Sequence, residues 1–195
     1  MIDANLIKMY EQSFRENREM SAVTNYFTGE TYSYYGFAKE IAKLHILFDE
    51  AGIKQGDKIA LVGQNTPRWC AVYIATITYG AVIVPIMQTF TSNDIAHIVN
   101  HSESRLLFLT DSYWEGLDEE AVPEVEAVFS ITDYHALFER NGNRLAKFVN
   151  AMTENYRRRY PNGFTVDDIK YADVPNDALM VLSYTSGTTG YSKGV

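Results

Sequence analysis

The sequence predicts an α/β fold, a mostly parallel sheet with helices on both faces, introduced by a small hairpin. Short uncharged runs, Ile59–Val62, Ala81–Val84 and Leu106–Leu109, have the make-up of strands buried on both sides. Between them, apolar residues recur at helical spacing. Capping residues and glycines punctuate the alternation, which is the grammar of βαβ units.

The elements follow in chain order. A first helix takes in Leu6, Ile7 and Phe14, and Thr24–Tyr34 reads as a hairpin turning at Thr28-Gly29-Glu30. Ser33 caps a helix that runs to Ala51 with Phe37, Ile41, Leu44, Leu47 and Phe48 on one face, and Gly52 stops it. A Gly56-Asp57 turn opens the strand Lys58–Val62. Thr66 and Pro67 read as cap and first position of the next helix, Gly80 as its stop, and Ala81–Val84 as a strand closed by Pro85. Thr91 and Asp94 suit a capping box for a helix to Asn100. Then come a strand at Arg105–Leu109, a short helix capped by Asp111 and a strand at Val125–Ile131. Tyr134 to Tyr160 reads as helical with a break at Asn141-Gly142; beyond the break Leu145, Phe148, Val149, Met152 and Tyr156 share a face. Tyr160–Asn176 is a connector, and Ala178–Tyr184 is a last apolar strand. No repeat is visible.

Composition excludes several classes of function. The chain has 195 residues, 46% hydrophobic and 22% charged, which suits a folded globular protein that buries about 70% of its surface. Its net charge is −8, which argues against a nucleic-acid partner. The basic run Arg157-Arg158-Arg159 reads as a solvated helix end. Cys70 is the single cysteine, so neither a disulfide framework nor a thiolate metal site is available, and it is expected to be a buried, inert thiol. The N-terminus lacks the order of a signal peptide, so a cytoplasmic location is expected. Nineteen residues from Trp69 to Met87 carry no charge. They divide into a helix and a short strand, neither long enough to span a bilayer, so no transmembrane segment is expected.

The residues richest in chemistry close the chain: Tyr184-Thr185-Ser186-Gly187-Thr188-Thr189-Gly190-Tyr191-Ser192-Lys193-Gly194-Val195. Glycines let backbone N–H groups approach a ligand, the hydroxyls can donate to phosphate oxygens, and Lys193 adds a compact positive charge. The segment follows a predicted strand, where open α/β sheets bind ligands. It is not a Walker loop, because no glycine directly precedes Lys193, and its glycines lack the dinucleotide spacing. From composition alone, a polar surface turn is the competing reading.

That run resembles the signature loop of the adenylate-forming superfamily, which includes acyl-CoA synthetases, luciferases and the adenylation domains of peptide synthetases. Ser192 departs from it, standing where the family usually has proline. Upstream, Thr31-Tyr32-Ser33-Tyr34, Gly52-Ile53, Gly56-Asp57-Lys58-Ile59-Ala60, Asn65 with Trp69, and Gly80-Ala81-Val82 with Val84-Pro85 are similar to family landmarks in order and spacing. The resemblance covers Tyr26 to Val195 and is weakest between Tyr134 and Asn176. It is most like a long-chain fatty acid–CoA ligase.

The resemblance implies a reaction. A carboxylic acid, here a fatty acid, is joined to ATP with Mg²⁺ to give an acyl-adenylate, which coenzyme A converts to a thioester. Thr185, Ser186, Gly187, Thr188, Thr189, Gly190 and Lys193 would cradle the β- and γ-phosphates in an electrostatic role. Residues 1–195 would be the front of the large AMP-binding domain, in the acyl-CoA synthetase-like fold. A chain cut inside a motif instead of at a linker suggests an engineered end. The adenine, acyl and coenzyme A sites, the Mg²⁺-binding acid and the catalytic lysine would lie beyond it, so no catalytic or metal residue is assigned within the chain. The chain alone is expected to be inactive, and its exposed docking surface would favour self-association. A peripheral membrane position of the parent enzyme stays open, as do an amino- or aryl-acid substrate and a non-catalytic nucleotide-binding or interaction module.

Other residues carry weaker signals. His97 and His101 have two-histidine metal spacing but no third ligand, and a solvated helix face is the simpler reading. His45 and His135 are expected to be structural. Glu115–Glu126 reads as a solvated acidic rim. Asn65 and Thr66 sit where a ligand could be touched, although capping the following helix accounts for both.

Overall fold

The four longest helices begin where the sequence supplies an acceptor for their first free N–H groups. The computed structural model describes residues 5–185 and 193–194. Asn5 caps α1 (Leu6–Glu16), Ser33 caps α2 (Tyr34–Ala51) and Thr66 caps α3 (Pro67–Tyr79), which has its proline in the first turn. Thr91 and Asp94 form the full capping box on α4 (Ser92–His101). Gly52 and Gly80 end α2 and α3 in the left-handed conformation. The chain also forms α5 (Asp111–Trp114), α6 (Arg144–Asn150) and α7 (Met152–Arg159).

The strands are β1 (Ser21–Thr24), β2 (Thr31–Ser33), β3 (Lys58–Val62), β4 (Val82–Ile86), β5 (Ser104–Leu109), β6 (Ala127–Ser130), β7 (Ala136–Glu139), β8 (Tyr184–Thr185) and β9 (Lys193–Gly194). The central sheet runs β4-β3-β5-β6-β7. Its first four strands are parallel and β7 is antiparallel to β6. β1 and β2 form the small hairpin.

Alternate residues of the parallel strands fill two cores. On one face Ile59, Leu61, Ile83, Leu106, Phe108 and Phe129 pack under α1, α2, α3 and α6. Phe108 lies 5.2 Å from Phe129 and 6.2 Å from Phe48 of α2 between ring centroids. On the other face Ala60, Val62, Val84, Leu107, Leu109 and Val128 pack against Ile95, Ile98 and Val99 of α4. Burying each of these side chains stabilises the fold by about 1.5–3 kcal/mol before conformational entropy is subtracted. Among the described residues, no helix is long and apolar enough to cross a membrane.

The structure corrects four details. Residues 136–139, expected to be helical, form β7, because Tyr134 takes φ +68° and turns the chain back along β6. The strand expected at Val125–Ile131 covers only Ala127–Ser130. Asp111 does not cap α5; it opens the helix and accepts a hydrogen bond from the Ser130 hydroxyl. The strand expected over Ala178–Tyr184 is an isolated bridge from Val181 to Ile83, followed by β8.

Candidate functional site

In an open α/β sheet the carboxyl ends of the strands form the natural binding edge. Here that edge consists of Gly63–Thr66 after β3, Met87–Thr91 after β4, Thr110 after β5 and Ile131–Thr132 after β6. Its closure depends on Gly63, whose φ is +152°. A Cβ there would lie 2.6 Å from both Ile131 Cδ1 and Thr110 Oγ1. A residue without a side chain therefore lets the ends of β3, β5 and β6 draw together.

The residues after Gly63 divide the edge into two cavities. Gln64 and Thr66 line one of about 330 Å³ beside the hairpin turn, with Glu30 and Arg68 as its charged walls. Arg68 donates to the Thr132 carbonyl, and Tyr32 donates to Glu30 at 2.8 Å. Burial, and then that bond, push the Tyr32 phenol up to about 12. Asn65 lines the second cavity, about 500 Å³, with Trp69, Pro85, Ile86 and Met87. Trp69 stacks on Tyr73 at 5.5 Å, and its buried indole N–H has no acceptor among the described residues. A dry donor of this kind is costly to leave unpaired. The Thr66 hydroxyl is already used, accepting from the backbone N–H of Trp69 at 3.2 Å.

The glycine-rich segment enters along the free edge of β4. The Ile83 N–H donates to Met180 O and the Leu182 N–H to Ile83 O, both at 3.0 Å. Because the Val181 bridge is parallel, the chain runs in the direction of β4 toward its carboxyl end. The two ends of the segment then meet as an antiparallel pair, with Tyr184 opposite Gly194 and Thr185 opposite Lys193. Thr185 is exposed at the mouth of this hairpin. Ser186, Gly187, Thr188, Thr189 and Gly190 lie outside the described residues, and Lys193 is placed by its backbone in β9.

The histidines fall into different settings. His45 Nε2 lies 3.0 Å from Ala75 O and 3.1 Å from Thr78 Oγ1, tying α2 to α3. Burial pulls its pKa down to about 4. His135 is half-exposed, with Nδ1 2.5 Å from Asp133. His101 is not only a solvated helix residue: its Nδ1 lies 2.7 Å from the Tyr184 hydroxyl. Sequence reasoning missed this link because the partners are far apart in the chain. Among the described residues, no three His, Cys, Asp or Glu side chains gather into a metal-sized cluster. Cys70 is half-buried, and burial pushes its thiol up, away from the reactive form. Arg157, Arg158 and Arg159 are exposed, as a solvated helix end should be.

The profile of the family described as AMP-binding enzyme matches residues 10–195. A fatty acid–[acyl-carrier-protein] ligase of Streptomyces coeruleorubidus is 25% identical over 94% of this chain and 31% of its own length. The long-chain-fatty-acid–CoA ligase 1 of Homo sapiens is 28% identical over 80% of this chain and 23% of its own. The chain thus spans less than a third of these relatives. Among solved structures, an anthranilate CoA ligase in complex with anthranoyl-AMP superposes with a TM-score of 0.76. It covers 98% of this chain and 33% of its own at 15% identity, a likeness of fold alone.

Proposed function

The chain belongs to the AMP-binding enzyme family, a family of adenylate-forming ligases, and from that premise we propose that it carries the triphosphate-binding loop of an ATP-dependent fatty acid ligase. One observation carries the reading. The segment 184–195 bears the hydroxyls, glycines and lysine of a phosphate cradle, and its ends are paired into a hairpin reached along β4. The fatty-acid branch is supported by the names of the two relatives above.

In the proposed reaction an oxygen of the substrate carboxylate bonds to the α-phosphorus of ATP. The bond from that phosphorus to the bridging oxygen breaks, and pyrophosphate leaves with the electron pair. Negative charge grows on the leaving group during this step. Thr185, Ser186, Gly187, Thr188, Thr189, Gly190 and Lys193 meet that charge with backbone N–H groups, hydroxyls and one ammonium, without forming any covalent bond. Bound Mg²⁺ supplies further positive charge to the triphosphate. The coenzyme A thiol then displaces AMP from the acyl carbon. On this reading the 195-residue chain is one part of a larger catalytic unit and does not complete the reaction alone.

The test is carboxylate-dependent ATP–pyrophosphate exchange on the full-length protein, with the 195-residue chain alongside and a panel of fatty, aryl and amino acids. Exchange that requires a fatty acid and falls at least 100-fold in Lys193→Ala is the expected result, since removing a donor aimed at developing charge costs about that much. Exchange that requires an aryl or amino acid would move the protein to another branch. No exchange with any acid would leave a nucleotide-binding module. Turnover by the 195-residue chain itself would overturn the claim that it is incomplete.

A further inference from the structure

We propose that His101 is a positioning residue for the glycine-rich loop and acts through Tyr184. The inference rests on the reading of residues 185–193 as a triphosphate-binding loop, and it adds a residue from a different element to that site.

Among the described residues two cross-strand pairs close the segment, Tyr184 with Gly194 and Thr185 with Lys193. A two-stranded ladder this short is marginal in water, so its orientation must come from packing. Tyr184 supplies that packing. It is 4% exposed and belongs to the core on the α4 face of the sheet. Gly194 lies against its ring: a Cβ on Gly194 would sit 3.4 Å from Tyr184 Cζ and 3.3 Å from Leu182 Cδ1. The hairpin base, where Gly194 pairs with Tyr184, therefore rests on the tyrosine.

A buried phenol needs a partner for its hydroxyl. For Tyr134, Tyr156 and Tyr171 no partner exists among the described residues. The Tyr184 hydroxyl has one, His101 Nδ1 at 2.7 Å, with the two rings edge-on at 5.7 Å and 89°. His101 is the last residue of α4, whose first turn is fixed by the Thr91–Asp94 capping box and whose Ile95, Ala96, Ile98 and Val99 are buried in the sheet. A rigid helix thus holds the imidazole, the imidazole holds the phenol, and the phenol carries the hairpin base. The exposed setting of His101 means its replacement leaves the core intact.

The test compares His101→Leu, His101→Asn, Tyr184→Phe and the His101→Leu/Tyr184→Phe pair in the full-length protein, each checked for an unchanged melting transition. The first measurement is amide hydrogen exchange of the 184–194 segment without nucleotide. His101→Leu and Tyr184→Phe should speed it about fivefold to tenfold, the equivalent of one hydrogen bond. His101→Asn, which keeps a hydrogen-bonding group near the phenol, should restore part of the protection. The second measurement is exchange kinetics. KM for ATP should rise by about the same factor while KM for the carboxylic acid stays fixed. The double variant should be no worse than either single one, because both cut the same link. Unchanged amide exchange, or ATP effects that multiply in the double variant, would overturn the inference. Faster amide exchange with no change in ATP kinetics would instead uphold the positioning role and overturn the phosphate-loop reading on which it rests.

Discussion

Replacing Gly63 with alanine should destabilise the protein more than the same change at Gly52, the glycine that ends α2. The added Cβ would meet Ile131 Cδ1 and Thr110 Oγ1 at 2.6 Å each, about 1 Å inside ordinary contact. Both atoms are side-chain ends whose residues line the cavity of about 330 Å³, so relief requires Ile131 and Thr110 to shift into that space. Overpacking of this kind costs about 1–3 kcal/mol, and the positive φ of +152° adds about 1 kcal/mol for any residue with a side chain. A total of about 2–4 kcal/mol corresponds to a drop in melting temperature of about 4–16 °C for a chain of this size. Gly52→Ala is the control. Its φ is +67° with nothing within 4 Å, so it reports the backbone cost alone, about 1 kcal/mol or 2–4 °C. Scanning calorimetry of the two variants separates steric from conformational strain. If Gly63→Ala melts no lower than Gly52→Ala, the close approach of three strand ends at Gly63 is wrong.

Two further outcomes test the packing around the sheet. His45 has its pKa pulled down to about 4, so between pH 6.5 and pH 4 the unfolded chain takes a proton that the folded chain refuses; stability falls as pH drops through that window, by at most about 3 kcal/mol, and levels off below it. Urea midpoints at pH 7 and pH 4.5 should therefore converge in His45→Gln, and an equal loss in variant and parent would refute the assignment. Arg105 ties the amino edge together, donating to Asp57, to Glu126 at 2.7 Å and to Gly52 O at 3.0 Å. Arg105→Ala should lower the melting temperature by about 4–8 °C, a loss of about 2 kcal/mol for a partly buried forked contact, and Arg105→Lys should recover less than half of it because an ammonium cannot span the same acceptors.

Elements whose boundaries depend on neighbouring residues were legible in the sequence. Ser33, Thr66 and Thr91 announce α2, α3 and α4 because a cap is a bond across three residues. The parallel strands were legible because burial on both faces leaves uninterrupted apolar runs. β7 was not. Ala136, Leu137, Phe138 and Glu139 are all half-buried, so they show no alternation, and the turn that makes them a strand uses a tyrosine at positive φ. Composition and order drew attention to the glycine-rich segment, of which the structure describes the ends, 184–185 and 193–194. They gave no sign of its anchor, because an exposed histidine at the end of a helix carries no trace of a phenol many residues away. Nor does the sequence disclose that Gly63 is a point of contact between three strands.

The bridge along β4 has a consequence for solubility. Val82, Ile83, Val84 and Ile86 are almost wholly buried, and their strand lies at the margin of the sheet. An apolar strand with an open margin is a template for another chain. Residues 180–182 occupy that margin with two backbone hydrogen bonds, and Pro85 within the strand has no N–H to offer a newcomer. The stretch that leads to the loop therefore also covers part of the β4 margin that another strand could pair with. Loosening it would open the backbone of an apolar strand to pairing.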